Sequence, residues 1–175
     1  IMHLPMKHEA VRQTMSDTTK PLPDFSSPPL EEVALGVQFD RVRGFHTPQI
    51  GALWREFRDR YPGAEEHPPL QPVTETFVTP VQGGRATRVQ VLETPPTPRC
   101  WFISEQGTEL LQVQPDRFVQ NWRRGHSQEE YPRYRKLRET FVSDLQRFRE
   151  FVEEELCGQF VPNQCEVTYV NRILE

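Results

Sequence analysis

The order of patterned segments predicts an α+β fold. Segments of two-residue alternation run together along the chain, and only two segments carry a helical period. Strands and helices therefore do not alternate as they would in a doubly wound sheet. Residues 99–124, RCWFISEQGTELLQVQPDRFVQNWRR, read as three consecutive strands joined by two tight turns. Together these features predict a mostly antiparallel sheet of about five to seven strands, with two amphipathic helices packed on one face.

Residues 1–24 are polar, lack a sustained period and read as a disordered N-terminal tail. Met15-Ser16-Asp17 reads as a natural start, which makes the preceding residues an upstream extension. One domain is expected over residues 25–173, and Leu174-Glu175 reads as a cloning remnant. Val33, Leu35, Val37 and Phe39 alternate with Ala34, Gly36 and Gln38, giving a strand with one large apolar face. Thr47 before Pro48 reads as an N-cap followed by proline at the first helical position. Ile50, Leu53, Trp54, Phe57 and Tyr61 then fall on one helical face, and Pro62-Gly63 stops the helix.

Residues 65–72, EEHPPLQP, read as a solvated loop. Glu65, Glu66 and His67 lack a spacing that would converge them on one ion, so no metal site is expected. Residues 74–81 and 85–92 read as a hairpin across Gly83-Gly84, with Pro80 marking an edge position. Residues 93–99 read as an extended connection.

Within the three-strand segment, Gly107 is placed to supply a positive φ in the first turn, and Pro115-Asp116 makes the second. Gln112, Gln114, Gln120 and Asn121 are interleaved with Trp101, Phe102 and Trp122. That mixture fits a half-solvated sheet with polar residues outward. It also fits a recognition surface for single-stranded nucleic acid, although the spacing of RNA-recognition motifs is absent.

After a polar loop at 125–130, residues 131–156 read as a long helix with Pro132 in its first turn. Leu137, Phe141, Leu145, Phe148, Val152 and Leu156 form its stripe, and Gly158 is the expected stop. Residues 164–173 read as a strand, apolar on both sides and so expected inside the sheet rather than at its rim.

Seventeen prolines against nine glycines, with 35% hydrophobic residues, indicate long extended connections around a modest core. A net charge of −4 argues against bulk attraction to nucleic acid or an anionic membrane. No apolar run approaches the roughly 18 residues a membrane span needs, and the opening residues carry no secretory pattern. Cys100, Cys157 and Cys165 lack CxxC spacing, which fits reduced thiols in a cytoplasm.

Arg117, Arg123, Arg124, Arg133, Arg135, Lys136 and Arg138 fall in a segment whose only acids are Glu129 and Glu130. The far end of the long helix is acidic, with Glu150, Glu153, Glu154 and Glu155, an order opposed to the helix dipole. One reading is solvent-screened charge with ordinary i,i+4 pairs. The other is a basic and aromatic binding patch of Arg117, Trp122, Arg123, Arg124, His126 and Arg133. Such a patch would serve nucleic acid, an acidic partner, or head-to-tail self-association.

No HExxH, GxSxG, CxxC, EF-hand, kinase or phosphate-loop pattern occurs. No catalytic residue, metal or cofactor is therefore expected, and the reading leans away from an enzyme.

The strings PLPDFSSPPLEEVALGVQF, WFISEQGTELLQVQPDRFVQNWRR, YPRY and PNQCEVTYVN, spread over residues 21–171, resemble a sporadically distributed bacterial family of uncharacterised proteins. Members of that family run to about 250 residues, and the resemblance implies a second region rich in strands. The resemblance is to their N-terminal part, with the YVN segment continuing into further strands. It implies a soluble cytoplasmic protein, and it implies that the last strand exposes an edge or apolar surface. It transfers no catalytic residue.

The sequence thus favours a non-enzymatic binding or protein-interaction domain, with a protein partner or self-association through a sheet edge or open sheet face. One alternative is a nucleic-acid-associated protein using segment 117–138. A second is an enzyme whose site assembles only in the fold, with His126 beside Glu129 or Glu130.

Overall fold

The strand richest in β-branched and aromatic alternation becomes the spine of the sheet. β1 (Leu30–Phe39) pairs with two partners, β5 (Arg117–Arg123) on one side and β6 (Pro162–Asn171) on the other. The computed structural model describes residues 25, 27–73, 96–125 and 130–173. The remaining elements are α1 (Thr47–Phe57), β2 (Gly63–His67), β3 (Arg99–Ile103), β4 (Glu109–Gln114) and α2 (Tyr134–Glu154). The six strands form one sheet in the order β2-β3-β4-β5-β1-β6, every neighbouring pair antiparallel. The α+β fold read from the sequence is the observed one.

Register explains where the core lies. Val33 faces Trp122, Leu35 faces Gln120 and Val37 faces Phe118 across β1 and β5. Val113 and Leu111 of β4 continue that face, followed by Cys100 and Phe102 of β3. Both helices lie on it: Ile50, Leu53 and Phe57 of α1 and Leu137, Phe141, Phe148 and Val152 of α2 join one hydrophobic cluster with the strand residues. Phe148 is its hub. Its ring sits 5.0 Å from Phe118, 5.4 Å from Phe39, and 5.9 Å from both Phe45 and Phe160.

Several local expectations are corrected. Residues 63–67 form a strand, where a loop was expected from residue 65 onward. Acidic residues have poor strand preference, but β3 offers a free edge, and His67 stacks on Trp101 with ring centroids 3.8 Å apart. β6 lies at the rim, because β1 pairs it on one side only and no described strand lies beyond it. The cap of α1 is His46, whose backbone N–H donates to Gln49 Oε1 at 3.3 Å, so Thr47 is already helical. α2 starts after Pro132, at Tyr134, with Arg133 at φ 72° as its cap. Beyond α2 the left-handed residue is Cys157, at φ 47°. Gly158 is needed there for space instead: a Cβ would sit 3.2 Å from methyl carbons of both Val152 and Val42. Gly107, at φ 70°, does supply the turn conformation expected of it.

The sheet face turned away from the helices is not half-solvated at its centre. Leu110, Gln114, Arg117, Val119 and Asn121 point that way and are buried. Residues 70–73 contribute cover at one end, through backbone hydrogen bonds to Gln38, Gln114 and Arg117. The predicted tail at 1–24, the predicted hairpin at 74–81 and 85–92, and residues 174–175 lie outside the described residues.

Truncating the hub tests this packing. Phe148→Ala should lower unfolding stability by about 3–5 kcal/mol. Urea denaturation followed by circular dichroism would show it as a fall in midpoint with little change in slope.

Candidate functional site

Three features could carry function: the second sheet face, a partly buried ionic cluster, and the edge of β6 that no described strand covers. The second face is built from alternate residues of five strands. Arg99 Nη1 donates to Gln112 Oε1 at 2.8 Å, and Gln112 Nε2 donates to Asn121 Oδ1 at 2.8 Å. Asn121 Nδ2 then donates to Glu32 Oε1. The ladder runs from cation to carboxylate across β3, β4, β5 and β1, each step diagonal in the register.

Beside the ladder, the Trp101 ring stacks on His67. The guanidinium carbons of Arg99 and Arg123 lie 5.4 and 5.6 Å from its centroid. The indole is thus engaged by the protein's own side chains. Burial, followed by the nearby Arg117 charge, pushes the Arg99 guanidinium below its usual pKa. The buried Trp101 Nε1 and the Nε atoms of Arg99 and Arg117 have no hydrogen-bond partner among the described residues.

At the end of this face, Gln38 and Gln114 grip the backbone of residues 70–73. Gln38 Oε1 accepts from Val73 N at 2.8 Å and from Arg117 Nη2 at 2.7 Å. Gln114 accepts from Leu70 N and donates to Leu70 O, both at 3.0 Å. A cavity of about 400 Å³ opens here, lined by amides and by Pro69, Pro72, Pro96 and Pro115. Asp40, Arg41 and Asp116 also line it.

The ionic cluster lies between α2 and the helix-covered face. Arg60 Nη1 donates to Asp144 Oδ2 at 3.0 Å, and Arg60 Nε donates to Glu109 Oε2 at 2.9 Å. Tyr61 OH donates to Asp144 Oδ2 at 3.3 Å and accepts from Gln120 Nε2 at 3.4 Å. Burial pushes the Asp144 carboxyl up, and the Arg60 charge offsets part of that rise. Burial, reinforced by Asp144, also raises the Tyr61 phenol. The Asp144 side chain is 11% exposed, whereas Arg60 and Glu109 are 38% and 31% exposed, so the cluster joins helix to sheet with its Arg60–Glu109 end open to solvent. Sequence reading assigned the stripe of α2 without Asp144. The signal was its spacing, three residues after Phe141 and four before Phe148, which places it on the buried face.

Cys100 borders an apolar cavity of about 320 Å³ between α1 and the β2–β3 edge, with Ile50, Trp54 and Phe102. Burial, then Glu66, pushes its thiol up to about 11, which disfavours the thiolate at neutral pH. Among the described residues no group of three or more His, Cys, Asp or Glu side chains could hold a metal ion.

The residues of the predicted basic patch separate in the fold. Arg117 and Arg123 lie on the second face, Arg117 only 7% exposed. Trp122 points the other way, into the core, 5.2 Å from the Tyr131 ring. Arg124 ties down the approach to β1, donating from Nε to Leu30 O at 2.9 Å and from Nη2 to Pro28 O at 3.1 Å. Arg133 caps α2 and donates to Phe25 O at 2.9 Å. His126 and Glu129 lie outside the described residues, whereas Glu130 is exposed.

The third feature is the rim. β6 spans ten residues, and Val167, Tyr169 and Val170 stay 45–49% exposed along it, with Val161 and Ile173 exposed just outside. The opposite rim, β2, has five residues, carries Glu65, Glu66 and His67, and is flanked by Pro62, Pro68 and Pro69. Short, charged, proline-flanked edges resist further pairing, and long apolar ones invite it.

Comparison with known proteins finds no matching family model, no matching curated protein and no matching solved structure. The resemblance carried by the sequence strings therefore stands as an expectation. Among the described residues no helix is long and apolar enough to cross a membrane.

The raised Asp144 carboxyl makes a signed prediction. Its folded form holds a proton more tightly than the unfolded chain does. Its contribution to stability therefore falls as pH rises from about 3.9 through the folded titration. Asp144→Asn removes that titration, so the stability of the variant relative to wild type should rise with pH across this window. Urea midpoints of both proteins between pH 4 and 7 would show the difference, and parallel curves would contradict it.

Proposed function

We propose that this chain is a non-enzymatic interaction domain that receives an added polypeptide strand along β6. The observation that carries this reading is the contrast between the two rims of the sheet. A ten-residue edge with exposed Val167, Tyr169 and Val170 can supply main-chain hydrogen bonds and apolar side-chain contacts to an incoming strand. The β2 rim is short and acidic.

The nucleic-acid reading has less support. Trp122 is a core residue, and the Trp101 ring is already stacked on His67 and flanked by Arg99 and Arg123. The enzyme reading rested on His126 with Glu129 or Glu130, and His126 and Glu129 lie outside the described residues. A cytoplasmic setting is part of the proposal. Its support is three free cysteines, two of them exposed, which suit a reducing compartment. Resemblance to a bacterial family points the same way.

Peptide selection on the purified protein tests the proposal. Selected ligands should be extended, with apolar residues at alternate positions. Their affinity should fall at least tenfold for the double variant Val167→Lys, Val170→Lys, equivalent to about 1.4 kcal/mol or more. Selected peptides that bind this variant as well as wild type would sink the proposal.

A further inference from the structure

We infer that the strand received by β6 is β6 of a second copy of this chain, antiparallel and related by a twofold axis perpendicular to the sheet. The inference rests on the interaction-domain reading and names its partner. Three observations carry it.

First, the two rims do not match. A head-to-tail contact would lay the ten-residue β6 on the five-residue β2, against Glu65, Glu66 and the flanking Pro62, Pro68 and Pro69. Self-pairing of β6 therefore uses one patch on both copies and closes at two subunits.

Second, only the registers centred on Glu166 and on Val167 overlap nearly the whole of β6, and of these two only the second avoids like charges. A twofold perpendicular to the sheet sets a residue opposite its own copy. Centring on Glu166 would oppose two carboxylates, which destabilises a strand pair. Centring on Val167 sets Val167 against Val167 and Cys165 against Tyr169 on the helix side. On the other side it sets Glu166 against Thr168 and Gln164 against Val170. PNQCEVTYVN has Glu166 as its one charged residue, so no like charges meet in this register.

Third, Glu166 is turned inward over its own β1. Its carboxylate lies within 2.6 Å of where a Cβ on Gly36 would stand, so the glycine makes room for it. A carboxylate folded back in this way blunts the rim less than one pointing outward.

Pairing of this kind joins two six-stranded sheets into one of twelve strands, with the helices of both copies on the same side. The half-exposed Val167 and Tyr169 of each copy then form one continuous apolar strip.

Sedimentation equilibrium of the full chain over a wide concentration range is the test. Wild type should dimerise. Val167→Lys, which opposes two ammonium groups at the axis, should weaken the dimer at least tenfold. Thr168→Lys, which places a cation opposite Glu166, should tighten it. In a Cys157→Ser, Cys165→Ser background, Val167→Cys should give an oxidised dimer rapidly, because the two thiols meet at the axis. Circular dichroism confirms that each variant folds. A wild-type monomer at every concentration would overturn the inference. So would a dimer indifferent to both lysine variants. Selected peptides that still bind β6 of a monomeric protein would leave the interaction-domain reading standing, so the two failures are distinct.

Discussion

The register between β1 and β5 is the constraint on which the rest depends. These strands bring Val33 to Trp122 and Val37 to Phe118, and a slip of one residue would turn each of them to the opposite face. Both ends of the pairing are held by side chains that do not belong to the core. Asn121 reaches Glu32, and Arg117 reaches Gln38. Arg124 fastens the entry of β1 through the carbonyls of Leu30 and Pro28. With this pair fixed, β4 and β3 follow as a meander, and α2 settles its aromatic stripe on Phe118 and Phe39.

The polar residues of the meander thereby gain a structural role. Amides interleaved with aromatics could have meant recognition. In the fold, Gln112 and Asn121 are links in a chain from Arg99 to Glu32, and Gln114 stands in for a strand backbone by both donating to and accepting from Leu70. Glutamine suits this use because its amide carries the same donor and acceptor as a peptide group. Polar chains of this kind specify one register more sharply than an apolar surface does, since a shifted strand would leave buried amides unpaired.

Elements with strong periodicity were legible before any coordinates. The Val33-Leu35-Val37-Phe39 face, the Ile50-Leu53-Phe57 stripe and the three-strand meander all stand where their patterns put them. What was not legible depended on neighbours distant in sequence. Gly63–His67 has the composition of a loop and is a strand because β3 had an open edge. β6 has the composition of an inner strand and lies at the rim because, among the described strands, only β1 pairs with it. Asp144 had no place in the α2 stripe read from the sequence, and its partners Arg60 and Tyr61 lie more than eighty residues earlier. The arginines of segment 117–138 were adjacent in sequence, yet a strand sends alternate residues to opposite faces. That alone separates Arg117 and Arg123 from Trp122.

The pairing of Leu30 with Asn171 puts the beginning of the first strand beside the end of the last. A pulling force applied at these two points would meet β1 and β6 in a peeling geometry. Their hydrogen bonds would be loaded one after another rather than all at once in shear. The sheet is therefore mechanically soft along this line, although its core is well packed. A second strand laid against the free side of β6 would leave that weakness in place, because the bonds that peel are those between β6 and β1.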